Sequence, residues 1–343
     1  MPPIRTIIVD DSAFVRKVVR DMLSRSADID VVGMARNGED ALEMVEELKP
    51  DVVTCDLVMP GLGGVGFVRK QMDRKAVPIL ILTASPQDAG HVIEALNAGA
   101  VDFLQKPTAL ANEELLFIRE ELIQKVTAAA SAHSRSMSLL PAQLALTQVR
   151  HTLARVDVVV LGISTGGPQA LRYLLPQFAA DFPVPLVIVL HMPVGYTAAF
   201  AEKLDELSSI SVKEASDGCP VLPGEVLLAP AGRHLSFKRI RPGHVVTELS
   251  IRPTDKLHRP SVDVLFQSAA ETYGGRVLGV VMTGMGDDGK QGAAWIKAQG
   301  GTILTQAEEG CVIYGMPRSV VEAGLSDASA PLESMAEEIN ERI

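Results

Sequence analysis

The feature that most constrains this chain is a repeated alternation between short apolar runs and longer segments with helical spacing. In the first part of the chain, β-rich runs are each followed by a helix-like segment. This rhythm predicts βα units, whose strands lie parallel in a doubly wound sheet. Ligand sites in such sheets lie at the carboxyl ends of the strands. The predicted strands are Ile4–Asp10, Ile29–Ala35, Val52–Asp56, Val77–Thr83 and Asp102–Gln105.

The alternation stops and later resumes, which predicts two α/β domains. Residues 128–140 have the sequence AAASAHSRSMSLL, a small and polar composition typical of a linker. From Val156 the near-continuous apolar runs VDVVVLGIS, PLVIVLH and RVLGVVMTG predict strands buried on both faces. Glu225–Ile251 has turns between LLAP, HLSFKR and HVVTELSI, which indicate an antiparallel insertion or edge. We therefore predict a domain over 1–125, a linker over 126–152, and a mostly parallel second domain with an antiparallel hairpin region over 153–343.

Composition and charge exclude several classes of protein. The net charge is -10 and the pI is about 5.3, which disfavours a nucleic-acid partner. The three cysteines are far apart and have no zinc-site spacing. The N-terminus lacks the pattern of a signal peptide, and the apolar runs are too short to span a membrane. We predict a cytoplasmic protein that is not inserted in a membrane.

Charged and hydroxyl side chains mark the ends of several strands in the first domain. Asp10 and Asp11 follow the first strand, Asp56 ends the third, Thr83 ends the fourth and Lys106 follows the fifth. Alone, each acid could be a helix cap or a turn residue. Together they meet at one edge, where three carboxylates require a hard cation such as Mg²⁺. With a lysine and a hydroxyl nearby, the cluster favours phosphoryl transfer to a carboxylate.

The motifs around these residues resemble the receiver domains of response regulators. They are VDDSAFVRK, CDLVMPG, LTAS and VDFLQKP. The resemblance implies a flavodoxin-like sheet with strand order 2-1-3-4-5, and Asp56 as the phosphoacceptor for a histidine kinase. It further implies that Asp10, Asp11, Asp56 and the main-chain carbonyl of Val58 bind Mg²⁺.

The same resemblance assigns a switch. It implies that Thr83 and Lys106 hold the phosphoryl oxygens and carry the conformational change. Phe103 occupies the position at which receiver domains place an aromatic side chain that reorients on activation. For Phe103, plain core packing is an equally open interpretation.

A serine lies at the first strand end of the second domain. The sequence GISTGGP, which contains Ser164, follows an apolar strand and precedes a helix. A G-x-S-x-G turn between strand and helix exposes a nucleophilic hydroxyl, and the helix N-terminus offers N–H groups to an oxyanion. A nucleotide-phosphate turn and a plain tight turn fit this motif equally well.

Two further strand ends favour catalysis over those alternatives. His191 ends the strand PLVIVLH, and Asp287 and Asp288 lie in TGMGDDG, just past another apolar strand. A strand-end histidine and acids in a glycine-rich loop are usually structural. However, a serine nucleophile needs a base and an orienting acid, and all three would meet at one sheet edge. The chain order Ser, His, Asp differs from that of the α/β-hydrolases.

The second domain resembles the catalytic domain of the chemotaxis protein-glutamate methylesterase family, CheB. The motifs that carry the resemblance are GISTGGP, LHMPVGYTAAFAEKLD, RPSVDVLFQSAA, TGMGDDG and CVIYGMPRSVVEAG. The resemblance implies that Ser164 is the nucleophile, His191 the general base and Asp288, rather than the acid before it, the orienting acid. The main-chain N–H groups of Thr165 and Met285 are candidates for the oxyanion hole.

Both resemblances together imply a phosphorylation-activated enzyme. Its substrates would be glutamate γ-methyl esters on the cytoplasmic helices of methylated chemoreceptors, with methanol released, and it would also deamidate receptor glutamines. The esterase itself would need no cofactor, and Mg²⁺ would belong to the receiver. Two alternatives remain at this stage: a phosphorylation-dependent interaction module and a general carboxylesterase.

Overall fold

The chain forms two compact units, Met1–Leu139 and Leu140–Ile343. The computed structural model describes residues 2–106, 112–135 and 156–343, and the side chains of residues 112–117 and 132–135 are outside that description. Each unit is an α/β domain built on a parallel sheet.

The first unit has a five-stranded parallel sheet of order β2-β1-β3-β4-β5, as predicted. Every residue of β3 and β4 is buried, because helices cover both faces of the sheet. The strands are β1 (Ile4–Val9), β2 (Ile29–Ala35), β3 (Val52–Asp56), β4 (Ile79–Thr83) and β5 (Asp102–Gln105). The helices are α1 (Ala13–Leu23), α2 (Gly38–Leu48), α3 (Gly63–Arg74), α4 (Ala89–Asn97) and α5 (Asn112–Arg135).

The end of α5 differs from the expected start of the linker. The helix continues to Arg135, so residues 126–135 of the predicted linker are helical. Leu122, Val126 and Ala129 recur at helical spacing and are buried in the core of the first unit. The alanines that suggested a linker are also strong helix formers, and the buried stripe extends the helix. The remaining linker residues, 136–152, lie outside the described part of the chain.

The second unit has a seven-stranded sheet of order β14-β13-β12-β6-β7-β9-β8, and all of its strand pairs are parallel. The central strands β12, β6 and β7 are fully buried. The strands are β6 (Val158–Ile163), β7 (Leu186–Leu190), β8 (Ser211–Glu214), β9 (Glu225–Leu228), β10 (His234–Arg241), β11 (His244–Ser250), β12 (Val277–Val281), β13 (Thr302–Gln306) and β14 (Ala328–Ala330). The helices are α6 (Gly167–Leu174), α7 (Thr197–Leu207), α8 (Val262–Tyr273), α9 (Lys290–Ala298), α10 (Met316–Glu322) and α11 (Met335–Asn340).

One part of the predicted antiparallel region is wrong. Strand β9 pairs in parallel with both β7 and β8, and only β10 and β11 form the antiparallel hairpin. Val226, Leu227 and Leu228 are all buried, so β9 is an inner strand of the main sheet. A four-residue apolar run next to glycine and proline turns does not reveal its pairing partner, because pairing depends on distant strands.

Candidate active site and phosphoacceptor pocket

The first unit brings its predicted acids together at the carboxyl edge of its sheet. Asp10 follows β1 and Asp56 ends β3, and these strands are parallel neighbours. Ligand oxygens of Asp10, Asp11 and Asp56 all lie within 4.8 Å of one another. Lys106 Nζ lies between two of these acids, 2.6 Å from Asp10 Oδ2 and 2.8 Å from Asp56 Oδ2.

Burial changes the pKa values of the charged groups in this pocket. It raises the pKa of Asp56 above its ordinary value, although hydrogen bonds from Lys106 and from the main-chain N–H of Val58 act in the opposite direction. Burial also disfavours the charged form of Lys106, but its bonds to Asp10 and Asp56 outweigh burial and raise the pKa of the lysine. Lys106 contacts two of the three carboxylates, and the clustered carboxylate oxygens fit a divalent cation.

The remaining residues implied by the receiver resemblance surround this pocket. The buried Thr83 hydroxyl ends β4 and has a long hydrogen bond to Asp88 Oδ2, at 3.4 Å. Val58 lies two residues after the phosphoacceptor candidate and is exposed. Phe103 is buried in β5, so in this structure its ring is part of the core.

The second unit places the serine and the histidine at the ends of neighbouring strands. Ser164 follows β6 and His191 follows β7, with Ile163 and Leu190 in register. The main-chain N–H of Ser164 donates to Thr283 O at 2.9 Å, which ties the serine to the segment after β12. The three strand ends therefore meet at one edge of the sheet, as the sequence predicted.

Two glycines allow the backbone to turn so tightly around Ser164. Gly166 has a φ of 78°, a left-handed conformation that residues with a Cβ rarely adopt, and α6 begins directly after it. Gly284 approaches the serine from the β12 side, where a Cβ would lie 2.8 Å from the Cβ of Ser164. A Cβ at Gly284 would also lie 2.3 Å from Met316 Sδ, so a side chain there would require its neighbours to move.

Asp288 is held by four hydrogen bonds. Its Oδ2 lies 2.9 Å from His191 Nε2 and accepts a bond from Val262 N at 2.8 Å. Its Oδ1 accepts bonds from Ser261 Oγ and Asp263 N, both at 2.9 Å. Burial acts to raise the pKa of Asp288, but His191 and the main-chain donors outweigh it and hold that pKa well below its ordinary value. Asp288 is therefore an ionised, fixed acceptor at neutral pH.

This arrangement determines the tautomer of His191. Because Nε2 faces an ionised carboxylate, Nε2 carries the ring proton and donates a hydrogen bond to Asp288. Nδ1 is then unprotonated, buried and without a hydrogen-bond partner among the described residues. The expected hydrogen bond between Ser164 and His191 is accordingly not formed in this structure. The available base atom of the ring is Nδ1.

The N-terminus of α8 is a functional element that the sequence interpretation missed. Ser261 precedes the helix but does not cap it, and its hydroxyl binds Asp288 instead. The carboxylate takes the place of a cap, accepting main-chain N–H groups at the positive end of the helix dipole. The adjacent Asp263 binds the N–H groups of Gly289 and Gly292 in return. The motif RPSVD, a cap-type serine before a helix, was the available signal.

The other predicted residues of this site differ in their environment. Asp287 is exposed, whereas its neighbour Asp288 contacts the histidine. Thr165 is buried, and its carbonyl accepts a bond from Thr283 Oγ1 at 3.0 Å. Within the described ranges, the main-chain N–H groups of Thr165 and Met285 donate to no protein acceptor. Both donors are thus available to a ligand.

Among the described residues, no helix combines the length and apolarity needed to cross a membrane.

The ring of His191 has one more close neighbour, His258, whose ring is stacked on it.

Comparisons with known proteins assign each unit to a family. The family model for the CheB methylesterase matches residues 159–339, and the model for the response regulator receiver domain matches residues 6–116. A protein-glutamate methylesterase/protein-glutamine glutaminase of Myxococcus xanthus is 48% identical over 97% of this chain and 96% of its own length. One from Thermotoga maritima is 38% identical over 99% of this chain and 98% of its own.

A solved structure agrees with the second unit. The crystal structure of the Thermotoga maritima CheB methylesterase catalytic domain is 41% identical, with a TM-score of 0.53, and covers 55% of this chain and 99% of that one. The chain therefore belongs to the CheB methylesterase family, with an N-terminal response regulator receiver domain.

Proposed function

We propose that this protein is a phosphorylation-activated serine esterase that hydrolyses glutamate γ-methyl esters on chemoreceptors and deamidates receptor glutamines. The names of the relatives, protein-glutamate methylesterase/protein-glutamine glutaminase, support this substrate class. The observation that carries the proposal is the buried, unpartnered Nδ1 of His191, whose opposite nitrogen is fixed by Asp288. Such an atom at the strand end next to a serine is what a general base requires.

The proposed reaction uses three side chains and two main-chain donors. His191 Nδ1 takes the proton of Ser164 Oγ, and that oxygen attacks the ester carbonyl carbon. The N–H groups of Thr165 and Met285 stabilise the resulting oxyanion. The bond to the methoxy group breaks, and methanol leaves with the proton from His191. Water then hydrolyses the acyl-enzyme with His191 again as base, which releases glutamate and restores the serine.

Asp288 acts by orienting the ring and by stabilising its charged form. Its position fixes the proton on Nε2, so that Nδ1 is the acceptor. The ionised carboxylate also stabilises the imidazolium that forms when Nδ1 takes the proton. In deamidation the same steps release ammonia from a glutamine amide.

The receiver would control this reaction through Asp56. Its carboxylate oxygen attacks the phosphorus of a phosphodonor, such as a kinase phosphohistidine, and the phosphorus–nitrogen bond breaks. Asp10, Asp11, Asp56 and the carbonyl of Val58 would hold Mg²⁺, which neutralises the carboxylates and the incoming phosphoryl group. Lys106 and Thr83 would hold the phosphoryl oxygens. The clustering of the three acids and the contact between Lys106 and Asp56 support this assignment.

Methanol release from methyl-labelled receptor membranes tests the proposal. We expect the full chain to release methanol, faster with Mg²⁺ and a small phosphodonor, and Ser164→Ala to release none above background. Ser236→Ala is the matched control, because that hydroxyl binds Glu248 O in the β10–β11 hairpin. Absence of release by a folded wild type would refute the methylesterase assignment. Equal turnover of small chromogenic esters and receptor would indicate a general carboxylesterase instead.

A further inference from the structure

The ring of His191 has a neighbour that the proposed reaction does not use. His258 stacks on it with ring centroids 4.0 Å apart and an angle of 19° between the planes. The two rings are thus nearly parallel and in contact, so His258 covers one face of the proposed base. His258 is itself partly exposed.

The hydrogen bond to Asp288 does not fix the tilt of the His191 ring. A bond at Nε2 fixes that nitrogen but allows the ring to tilt about the line between Nε2 and the carboxylate oxygen. No second hydrogen bond restrains the ring at Nδ1 within the described residues. A flat ring in contact with one face restricts the tilt, and therefore the direction of the Nδ1 lone pair.

A buried histidine holds the segment that carries His258. His234 is 1% exposed, and its Nδ1 accepts a bond from Ser261 N at 3.2 Å. Its Nε2 therefore carries the proton and donates to Pro253 O at 3.0 Å. Burial lowers the pKa of His234, which favours this neutral form. One side chain thus joins the two ends of residues 253–261, called here the 253–261 segment.

The 253–261 segment also holds the acid of the proposed triad. Ser261 Oγ donates to Asp288 Oδ1, and Arg259 O accepts a bond from Gly232 N at 2.9 Å, which anchors the segment in the middle. The ring stack and the carboxylate contact thus come from one anchored stretch of chain. Base and acid are positioned together rather than independently.

We propose that His258 is a positioning residue, which holds His191 at the tilt that directs Nδ1 to Ser164. The inference rests on the proposed esterase function. His258 contributes its flat ring: when His191 becomes an imidazolium, the ring face of His258 also lies against the cation and favours it. A phenyl ring can meet both requirements, and an aliphatic side chain of similar size cannot.

Three substitutions of His258 in the full chain test this role. We expect His258→Ala and His258→Leu to lower kcat for methanol release by about 10–100-fold, since small misplacements of a catalytic group have effects of that order. KM should stay within a few-fold, because the substrate contacts remain. His258→Phe should keep kcat within a few-fold of the wild type. His244→Ala is the control, because that exposed histidine lies in the β10–β11 hairpin, where it contacts Arg241.

The labelling rate of Ser164 by a fluorophosphonate provides a second readout that needs no receptor. It should follow the order wild type, Phe, then Leu and Ala. An unchanged kcat in both His258→Ala and His258→Leu, or a His258→Phe variant as impaired as His258→Ala, would overturn the inference while leaving the esterase assignment intact. A wild type that neither releases methanol nor reacts with the probe would overturn both.

Discussion

The two units place a carboxylate at the same edge of the same kind of sheet, and give it opposite properties. Asp56 ends β3 of the first unit, and burial raises its pKa although Lys106, which also contacts Asp10, acts in the opposite direction. Asp288 follows β12 of the second unit, and its pKa is lowered, although it is also buried, because four donors converge on it.

The difference shows that one fold class can hold two buried carboxylates whose pKa values shift in opposite directions. A buried carboxylate with few donors is stabilised by a group that brings positive charge, such as Mg²⁺, or by a modification that converts the carboxylate to another group, such as phosphorylation. A carboxylate whose oxygens already accept several hydrogen bonds is not stabilised further by a cation, and it can hold a neighbouring side chain in one orientation. The number of hydrogen-bond donors, rather than burial, accounts for the opposite pKa shifts of the two carboxylates.

The largest expected effect comes from removing the charge of the orienting acid. Asp288→Asn keeps the shape but presents an amide NH₂ to donors that need an acceptor, and it removes the group that fixes the His191 tautomer. We expect kcat for methanol release to fall by about 10³–10⁴-fold. The catalytic domain should also lose about 1–3 kcal/mol of unfolding free energy, measured by denaturant titration. A variant with near-normal kcat would contradict the orienting role.

The corresponding change in the receiver should have the opposite effect on stability. Asp56→Asn removes a buried negative charge that shares one lysine, so the receiver should become more stable by about 1 kcal/mol, or roughly 4–8 °C in its melting temperature. The same variant should lose all stimulation by phosphodonor and Mg²⁺. Differential scanning calorimetry and the methanol assay measure the two results. A less stable Asp56→Asn receiver would contradict the account of the pocket.

Lowering the pH should affect the stability of the two domains differently. The native pKa of Asp56 is raised, so its negative charge lowers the stability of the receiver at neutral pH. The unfolding free energy of the receiver should therefore increase as the pH falls from that raised pKa toward about 4. The native pKa of Asp288 is lowered, so its contribution is present above about pH 4 and is lost below it. Calorimetry from pH 3 to pH 8, with Asp56→Asn and Asp288→Asn as references, isolates the contribution of each carboxylate to the stability of its domain. Parallel pH dependence of both domains would refute this comparison.

The smallest expected effect concerns the acid next to Asp288. Asp287 is exposed, whereas Asp288 contacts His191, so we expect the Asp287 carboxylate to have no role in the site. Asp287→Asn should change kcat less than two-fold and the unfolding free energy by at most about 0.5 kcal/mol. This variant is the matched control for Asp288→Asn. A large loss of activity would exchange the proposed roles of the two acids.

The sequence alone determined the two sheets and the edge at which each site lies. Short apolar runs alternating with helical spacing indicate parallel βα units, and polar residues directly after those runs must meet at the carboxyl edge. For Asp10, Asp56 and Lys106 this was sufficient to predict a cluster. The same logic brought Ser164, His191 and the Asp287–Asp288 pair to a common edge. These features depend on local pattern, which the sequence carries directly.

Only the tertiary structure decided which groups contact one another within each edge. It placed Asp288 on the N-terminus of α8, paired the base through Nε2, stacked His258 on His191 and moved β9 into the parallel sheet. Each of these contacts joins segments that are distant along the chain, and each depends on side-chain direction and on competition among several donors. Those quantities are fixed by packing, so no spacing in the sequence specifies them.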